Sequence, residues 1–154
     1  FGKDLINTRG PLLVDMVFNA YTVEYVQTDS VLEALILEAE LIKKHQPKYN
    51  TKEKDNKSFN YVCITKEVLP KVLVVRGRNL DKKIYANVFG PFTNGSQLRV
   101  AMTIIRRIFP FYDDQSTKKQ NYQFYKQLAL IPSDDYKNNL KNLVLFFQGK
   151  KKRI

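Results

Sequence analysis

Residues 30–47 read SVLEALILEAELIKKHQP, and this stretch decides the fold. Ser30 and Glu33 have the spacing of a capping box, in which two side chains accept hydrogen bonds from free backbone N–H groups at a helix start. Pro47 cannot continue a helix. The stretch therefore predicts a helix at 31–45. Because apolar residues fall on nearly all of its sides, we expect this helix to be buried at the centre of its layer.

The flanking sequence alternates between strand and turn signals. Upstream, a short helix is predicted at 12–19, and residues 21–27 (YTVEYVQ) are rich in the β-branched and aromatic residues typical of strands. Three more strands are predicted downstream, at 61–65, 71–76 and 84–89. This order predicts an α/β fold, with a partial mixed sheet around the 31–45 helix.

The second half of the chain is expected to be mainly helical. An amphipathic helix at 97–109 follows the cap residues Asn94-Gly95-Ser96, a weak helix is predicted at 122–130, and Pro132-Ser133 would cap a last helix at 134–148. The chain divides into three parts on this basis. They are 1–58, a strand-rich module with a basic helix at 59–111, and a polar loop with a helical linker at 112–154.

Charge points to a polyanionic partner. The chain has 154 residues and a net charge of +11, and the whole excess lies in 76–154, where 16 side chains are basic and 5 are acidic. Nucleic acid is the first expectation and an anionic membrane the second. The candidate phosphate contacts are Arg99, Arg106 and Arg107 on the 97–109 helix, with less weight on Lys52, Lys54 and Lys57, which are interspersed with acids. The alternative for the arginines is a solvated outer face.

The chain has too few cysteine and histidine residues for several kinds of site. Cys63 is the only cysteine and His45 the only histidine, so an internal disulfide, a thiolate-built zinc or iron–sulfur site and an imidazole pair cannot form within the chain. We interpret Cys63 as a small core residue. No apolar run approaches the roughly 20 residues that a membrane-spanning helix needs, so a soluble, cytoplasmic protein is expected, without a membrane partner.

Glu38 is the carboxylate of the 31–45 helix without an obvious role. Glu33 belongs to the cap, and Glu40 faces two lysines one turn on. The helical neighbours of Glu38 are apolar, namely Ala34, Leu35, Leu41 and Ile42. A carboxylate in such surroundings needs either a hydrogen bond to a buried backbone or tyrosine group, or a cation. Both interpretations stay open, and a single carboxylate with phosphate oxygens and water is a normal magnesium shell.

Four motifs, in order, resemble a known nuclease family. They are LEALILEAELIKKHQPKYN at 32–50, KDNKS at 54–58 followed by a strand, FGPFTNG at 89–95 and IIRRIFPF at 104–111. Together they resemble the GIY-YIG nuclease domain and following segment of bacterial UvrC-type excision nuclease subunits. The likeness covers about 9–111 and resumes more loosely at 136–150, where LFFQGK resembles the helix leading toward a partner-binding region.

This resemblance implies a function and a site. The function is metal-dependent incision of damaged double-stranded DNA in nucleotide excision repair, together with a UvrB-type partner protein. Glu38 would hold the divalent metal, Mg²⁺ or Mn²⁺, and Asn50 would belong to the same catalytic site. The alternative is a non-catalytic DNA- or partner-binding module derived from the family.

Two features depart from the family pattern. The chain has neither the Gly-x-Tyr nor the Tyr-x-Gly strand, nor the arginine helix that follows them, so we expect a fragment that does not cut DNA on its own. The family often places a cysteine-rich segment after the Phe-Pro-Phe stretch, but residues 112–132 contain no cysteine. We therefore expect no iron–sulfur cluster. The partner-binding region and the second nuclease domain of the family are expected to be missing as well.

Overall fold

The computed structural model describes residues 10–50, 59–133 and 135–150. Their order is helix α1 (Pro11–Asn19), α2 (Val31–His45), strands β1 (Asn60–Thr65), β2 (Val72–Arg76) and β3 (Tyr85–Phe92), then α3 (Gly95–Ile108), α4 (Lys119–Gln127) and α5 (Tyr136–Phe147). Short 3-10 turns at Gly77–Asn79 and Lys82–Ile84 join β2 to β3. The predicted α/β class is confirmed. No helix in the described ranges is long and apolar enough to cross a membrane.

Helix α2 has the predicted boundaries. The Ser30 hydroxyl accepts a hydrogen bond from the Glu33 backbone N–H at 3.2 Å, and the Glu33 carboxylate accepts one from the Asp29 N–H, also at 3.2 Å. At the other end, Gln46 takes a left-handed conformation with φ 45° just before Pro47. The capping box and the proline thus define this helix locally, without help from the rest of the fold.

The sheet has three strands in the order β2–β1–β3, and both pairings are antiparallel. Val62 at its centre lies opposite Val74 on one side and Phe89 on the other. The mixed sheet that we expected is therefore antiparallel throughout the described strands. β1 is almost completely buried because it has a neighbour on each edge and side chains packed on both faces.

Residues 21–27 do not form the predicted strand. Their backbone is not part of a sheet, and Tyr21, Val23 and Tyr25 are at least 90% exposed. Strand propensity measures how well side chains fit a pleated, half-buried surface. Within the described residues no strand pairs with this segment, so its composition alone does not produce one.

One face of the sheet carries the main core. Helices α2, α3 and α5 supply apolar side chains against the β1 and β2 residues Val62, Ile64 and Val72, and Leu98, Ile105 and Leu143 are at most 1% exposed. The prediction that α2 is buried on nearly every side is wrong. Its buried residues are Leu35, Ile36 and Ala39 only, because packing against β3 and α3 covers one side of the helix.

Helices α3 and α5 differ from expectation in detail. The predicted amphipathic helix buries Met102 and Arg106, whereas the apolar Ile104 and Ile108 are 45% and 56% exposed. The cap of α5 is Asp135, whose carboxylate accepts a hydrogen bond from the Asn138 N–H at 3.1 Å, rather than Pro132-Ser133. Asp135 is therefore the residue that satisfies the free N–H groups at the start of this helix.

Candidate functional site

Glu38 lies on the exposed side of α2, contrary to the apolar environment that its helical neighbours suggested. Its Oε1 accepts a hydrogen bond from the Thr93 hydroxyl at 2.7 Å. Within residues 10–50, 59–133 and 135–150, neither a backbone group nor a tyrosine donates to it. The apolar residues next to it in the helix do not enclose it because Ala34 is itself exposed and Leu41 is 42% exposed.

Thr93 is held in place by the turn between β3 and α3. The neighbouring Asn94 carboxamide oxygen accepts hydrogen bonds from the Ser96 and Gln97 N–H groups, both at 3.1 Å, and so caps α3. The Asn60 side chain packs against Gly95, since a Cβ atom on Gly95 would lie 2.9 Å from Asn60 Nδ2. The FGPFTNG motif therefore fixes a hydroxyl beside Glu38. No role was predicted for Thr93 from the sequence, although the motif that contains it was part of the family resemblance.

Asn50 is half-buried at the end of the segment that follows α2, and its N–H donates to the Pro47 carbonyl at 3.2 Å. No hydrogen bond joins the described Asn50 and Glu38 side chains. The structure thus shows no hydrogen bond that brings the two predicted catalytic residues together.

The neighbouring Tyr49 anchors this segment to α1. Its hydroxyl donates to Asp15 Oδ2 at 2.6 Å, and Lys48 Nζ approaches the same carboxylate at 3.7 Å. The hydrogen bond from Tyr49 is the main cause that lowers the pKa of Asp15. This contact between residues 34 positions apart was not predicted, because nothing in the local pattern around Asp15 indicates it.

A divalent metal is compatible with the surroundings of Glu38. Among the described residues, no three histidine, cysteine, aspartate or glutamate side chains are close enough to form a protein cage for a metal. Mg²⁺ does not need one, since it is commonly held by one or two carboxylates together with phosphate oxygens and water. An exposed carboxylate with one oxygen oriented by Thr93 fits that kind of shell.

Arg106 is buried, and this corrects the prediction that it contacts phosphate at the surface. The residue is 9% exposed, and its Nη1 donates to Asp113 Oδ2 at 2.7 Å. The loop after α3 folds back over the last turn of the helix and covers the guanidinium. A charge so enclosed is neutralised within the fold and is unavailable to DNA.

The remaining predicted cations divide into two groups. Arg99 and Arg107 are exposed on α3, which suits both the predicted phosphate contact and the alternative of a solvated outer face. Lys52, Lys54 and Lys57 lie outside the described residues.

Cys63 is fully buried in β1, and burial raises the pKa of its thiol to about 11. Its prediction as a core residue is confirmed.

Comparison with known proteins supplies the family context. Residues 7–51 match the family model for the UvrC-like GIY-YIG domain. The chain is 34% identical to UvrABC system protein C of Cyanothece sp. over 94% of its own length and 24% of that protein. It is 31% identical to UvrABC system protein C of Shewanella pealeana, over 100% of its own length and 26% of that protein. No solved structure matches.

The chain matches only part of each of these longer proteins. The chain spans about a quarter of the length of the curated relatives that it matches. The segment carrying Glu38 and Asn50 lies within the family match, and the later motifs lie within the relatives' match. The resemblance found in the motifs is thereby confirmed, and the chain is similar to UvrC-type proteins along nearly its whole length.

Proposed function

We propose that this chain is part of a metal-dependent DNA endonuclease subunit of nucleotide excision repair, which incises the damaged strand by phosphodiester hydrolysis. The observation that carries the proposal is the match of residues 7–51 to the UvrC-like GIY-YIG domain, with Glu38 exposed inside that segment. Damaged double-stranded DNA is the substrate under this proposal, and a UvrB-type protein is the partner.

The proposed role of Glu38 follows from its exposure and its hydrogen bond. A divalent ion bound by this carboxylate would offset the negative charge that develops on the phosphate during hydrolysis. The Thr93 hydroxyl fixes the orientation of Oε1, while Oε2 makes no hydrogen bond to a described residue and is open to a ligand. Thr93 is therefore a positioning residue for the carboxylate.

A second candidate is a DNA- or partner-binding module without catalysis. The excess positive charge of 76–154 favours it, and the chain contains no Gly-x-Tyr or Tyr-x-Gly sequence to supply the family's tyrosines. For the 154-residue chain by itself we expect DNA binding without cutting. Incision is expected of a longer protein that includes both this chain and the tyrosine-bearing hairpin.

The role of Glu38 predicts a large loss on substitution. In a full-length protein containing this chain, Glu38→Gln is expected to slow magnesium-dependent nicking of a lesion-bearing duplex by about a hundredfold, because the amide is a poor ligand for Mg²⁺. Nicking is measured with the partner proteins present. Glu40→Gln is the matched control, since Glu40 is exposed on the same helix. Equal cutting by the wild type and Glu38→Gln would contradict the proposal.

Thr93 is expected to affect the metal more than the chemical step. In the same assay, Thr93→Val should raise the Mg²⁺ concentration for half-maximal cutting roughly tenfold, because loss of an orienting second partner typically weakens metal binding 10- to 100-fold. The maximal rate at saturating Mg²⁺ should change less. Thr22→Val, at an exposed threonine of the 21–27 segment, is the control. An unchanged Mg²⁺ dependence would remove Thr93 from the site.

A further inference from the structure

A groove runs between the free edge of β2 and helix α3. β2 is an edge strand of the described sheet, since β1 pairs with one side of β2 and no strand pairs with the other. At its first residue the free side is occupied, because the Val72 N–H donates to the Tyr112 carbonyl at 2.8 Å. Beyond that point a cleft of about 430 Å³ opens, lined by Val74 from the strand and by Thr103 and Arg107 from the helix.

The helix side of this groove carries a row of exposed polar residues. Arg99, Thr103 and Arg107 follow one another at intervals of four, which places them on the same side of α3. Thr103 and Arg107 line the cleft, so Arg99, one turn earlier, extends the row along it. The two arginines are eight residues apart, a distance of about 12 Å along the helix axis.

The strand side contributes Arg76, which sequence analysis did not select. Arg76 pairs with Asn60 across the sheet, so both side chains point to the face that α3 covers. Asn60 in turn abuts Gly95, the first residue of α3. Arg76 therefore lies beside the first turns of the helix, where Arg99 is located. We call Arg76, Arg99 and Arg107 the arginine groove.

These three charges are not neutralised within the described parts of the chain. None of the three guanidinium groups donates a hydrogen bond to, or forms an ion pair with, a described residue, and neither β2 nor α3 contains an acidic residue. The two acids that line the cleft, Asp113 and Asp114, are already paired. Asp113 binds Arg106, and Asp114 binds Lys71 at 3.2 Å.

We propose that the arginine groove binds the sugar–phosphate backbone of duplex DNA. Guanidinium groups suit this task because they are always charged and can donate two parallel hydrogen bonds to a phosphate. The row spans about 12 Å, or three to four base-pair steps at about 3.4 Å each, so it can contact more than one phosphate of a strand. The choice of duplex DNA among polyanions rests on the proposed function. The groove itself is distinct from the Glu38 site.

An anionic membrane is the competing partner. Val100, Ile104 and Ile108 are exposed on the neighbouring side of α3, at 63%, 45% and 56%, and an apolar row beside arginines also occurs in helices that lie on lipid. Arg107 lines a concave cleft beside a strand edge, however, and this shape fits a backbone better than a flat bilayer. Vesicles therefore enter the test as a separate arm.

Salt-dependent binding tests the proposal on the 154-residue chain. Anisotropy of a labelled undamaged duplex of about 20 base pairs is measured without Mg²⁺ between about 50 and 200 mM KCl, since each phosphate contact contributes about 0.9 to the slope of log K against log salt. Each single Arg→Gln substitution should lower the slope by about 1 and weaken binding about eightfold at 0.1 M salt, and the triple variant should lower it by about 3.

The assay separates DNA binding in the arginine groove from a general effect of charge and from the proposed role of Glu38. Lys82→Gln removes the same charge from an exposed turn at the opposite edge of the sheet and should leave the slope unchanged. Because the assay contains no Mg²⁺ and measures no cutting, its result does not depend on the proposed catalytic role of Glu38, and either proposal can fail without the other. Circular dichroism confirms that each variant is folded. An unchanged slope in the folded triple variant, or tighter binding to phosphatidylserine vesicles than to DNA, would overturn the proposal.

Discussion

Replacing Arg106 with methionine is expected to lower the free energy of unfolding by about 3–5 kcal/mol, the range for breaking a buried ion pair from one side. The guanidinium donates to the carboxylate of Asp113 at 2.7 Å, to the carbonyls of Leu130 and Phe111 at 3.0 and 2.9 Å, and to the Ser116 hydroxyl at 3.2 Å. Methionine fills similar space but donates nothing, so all four acceptors would lose the hydrogen bond from Arg106 at once. Urea unfolding followed by circular dichroism measures the loss.

Arg106→Lys is the informative companion variant. The Arg106 guanidinium also stacks on the Phe111 and Tyr125 rings, at 4.5 and 4.7 Å from their centroids. Lysine retains the charge but cannot reproduce a planar group that donates in several directions while lying between two rings. We therefore expect Arg106→Lys to be destabilised as well, by about half as much as Arg106→Met. A loss below about 1 kcal/mol for Arg106→Met would show that the network does not stabilise the fold.

Acid titration provides a second measurement of the same network. Burial on its own would raise the pKa of Asp113, but the hydrogen bonds from Arg106 and the Ser116 N–H, with the Arg106 charge, hold it below its usual 3.8. A carboxylate whose pKa is lower in the folded state stabilises the fold above its unfolded pKa, and this contribution is lost as the pH falls through the folded value. Arg106→Met should therefore flatten the loss of stability below about pH 4.

Features specified by neighbouring residues could be predicted from the sequence. The start and end of α2 follow from Ser30, Glu33 and Pro47, all of which act within one or two helical turns. The strands β1 and β2 follow from short runs of β-branched residues between turn signals. Long-range pairing was not needed to recognise these elements.

Features that depend on distant partners could not. Arg99 and Arg106 lie on the same side of α3, so helical periodicity cannot show that the loop after the helix covers only Arg106. The same limit applies to 21–27, whose composition suits a strand but which pairs with no described strand. Burial of a charge or formation of a strand is decided by what packs against it, which the local pattern does not contain.

The candidate site shows the same division. Glu38 was selected from its helical neighbours and from the family resemblance, and Asn50 from the resemblance alone; their catalytic roles remain predictions. Thr93, the observed partner of Glu38, is 55 residues away in the chain, and Tyr49 meets Asp15 across 34 residues. Arg76 joins the arginine groove only through the strand register that pairs it with Asn60. Each of these contacts needs the folded sheet to bring its residues together.

Leu98→Ala is expected to lower the free energy of unfolding by about 2–5 kcal/mol, the range measured when a buried leucine is truncated. Leu98 is 0% exposed, lies in the first turns of α3 and belongs to the main core with Ile105 and Leu143. Truncation removes apolar contacts and leaves a cavity, because three helices and a sheet enclose the site and cannot all close upon it. Val100→Ala, on the exposed side of the same helix, should cost less than about 1 kcal/mol.

The same variant tests whether the helix and its DNA contacts act as one unit. Leu98 adjoins Arg99, and its side chain fixes the start of α3 on the sheet, so the arginine groove should exist only while this packing is intact. For wild type and Leu98→Ala, DNA binding and helical circular dichroism should therefore disappear at the same urea concentration, with both midpoints lower in the variant. DNA binding that persisted in Leu98→Ala beyond the loss of helical signal would show that the arginines bind DNA without the groove. A Leu98→Ala midpoint equal to that of Val100→Ala would show that Leu98 does not hold the helix in place.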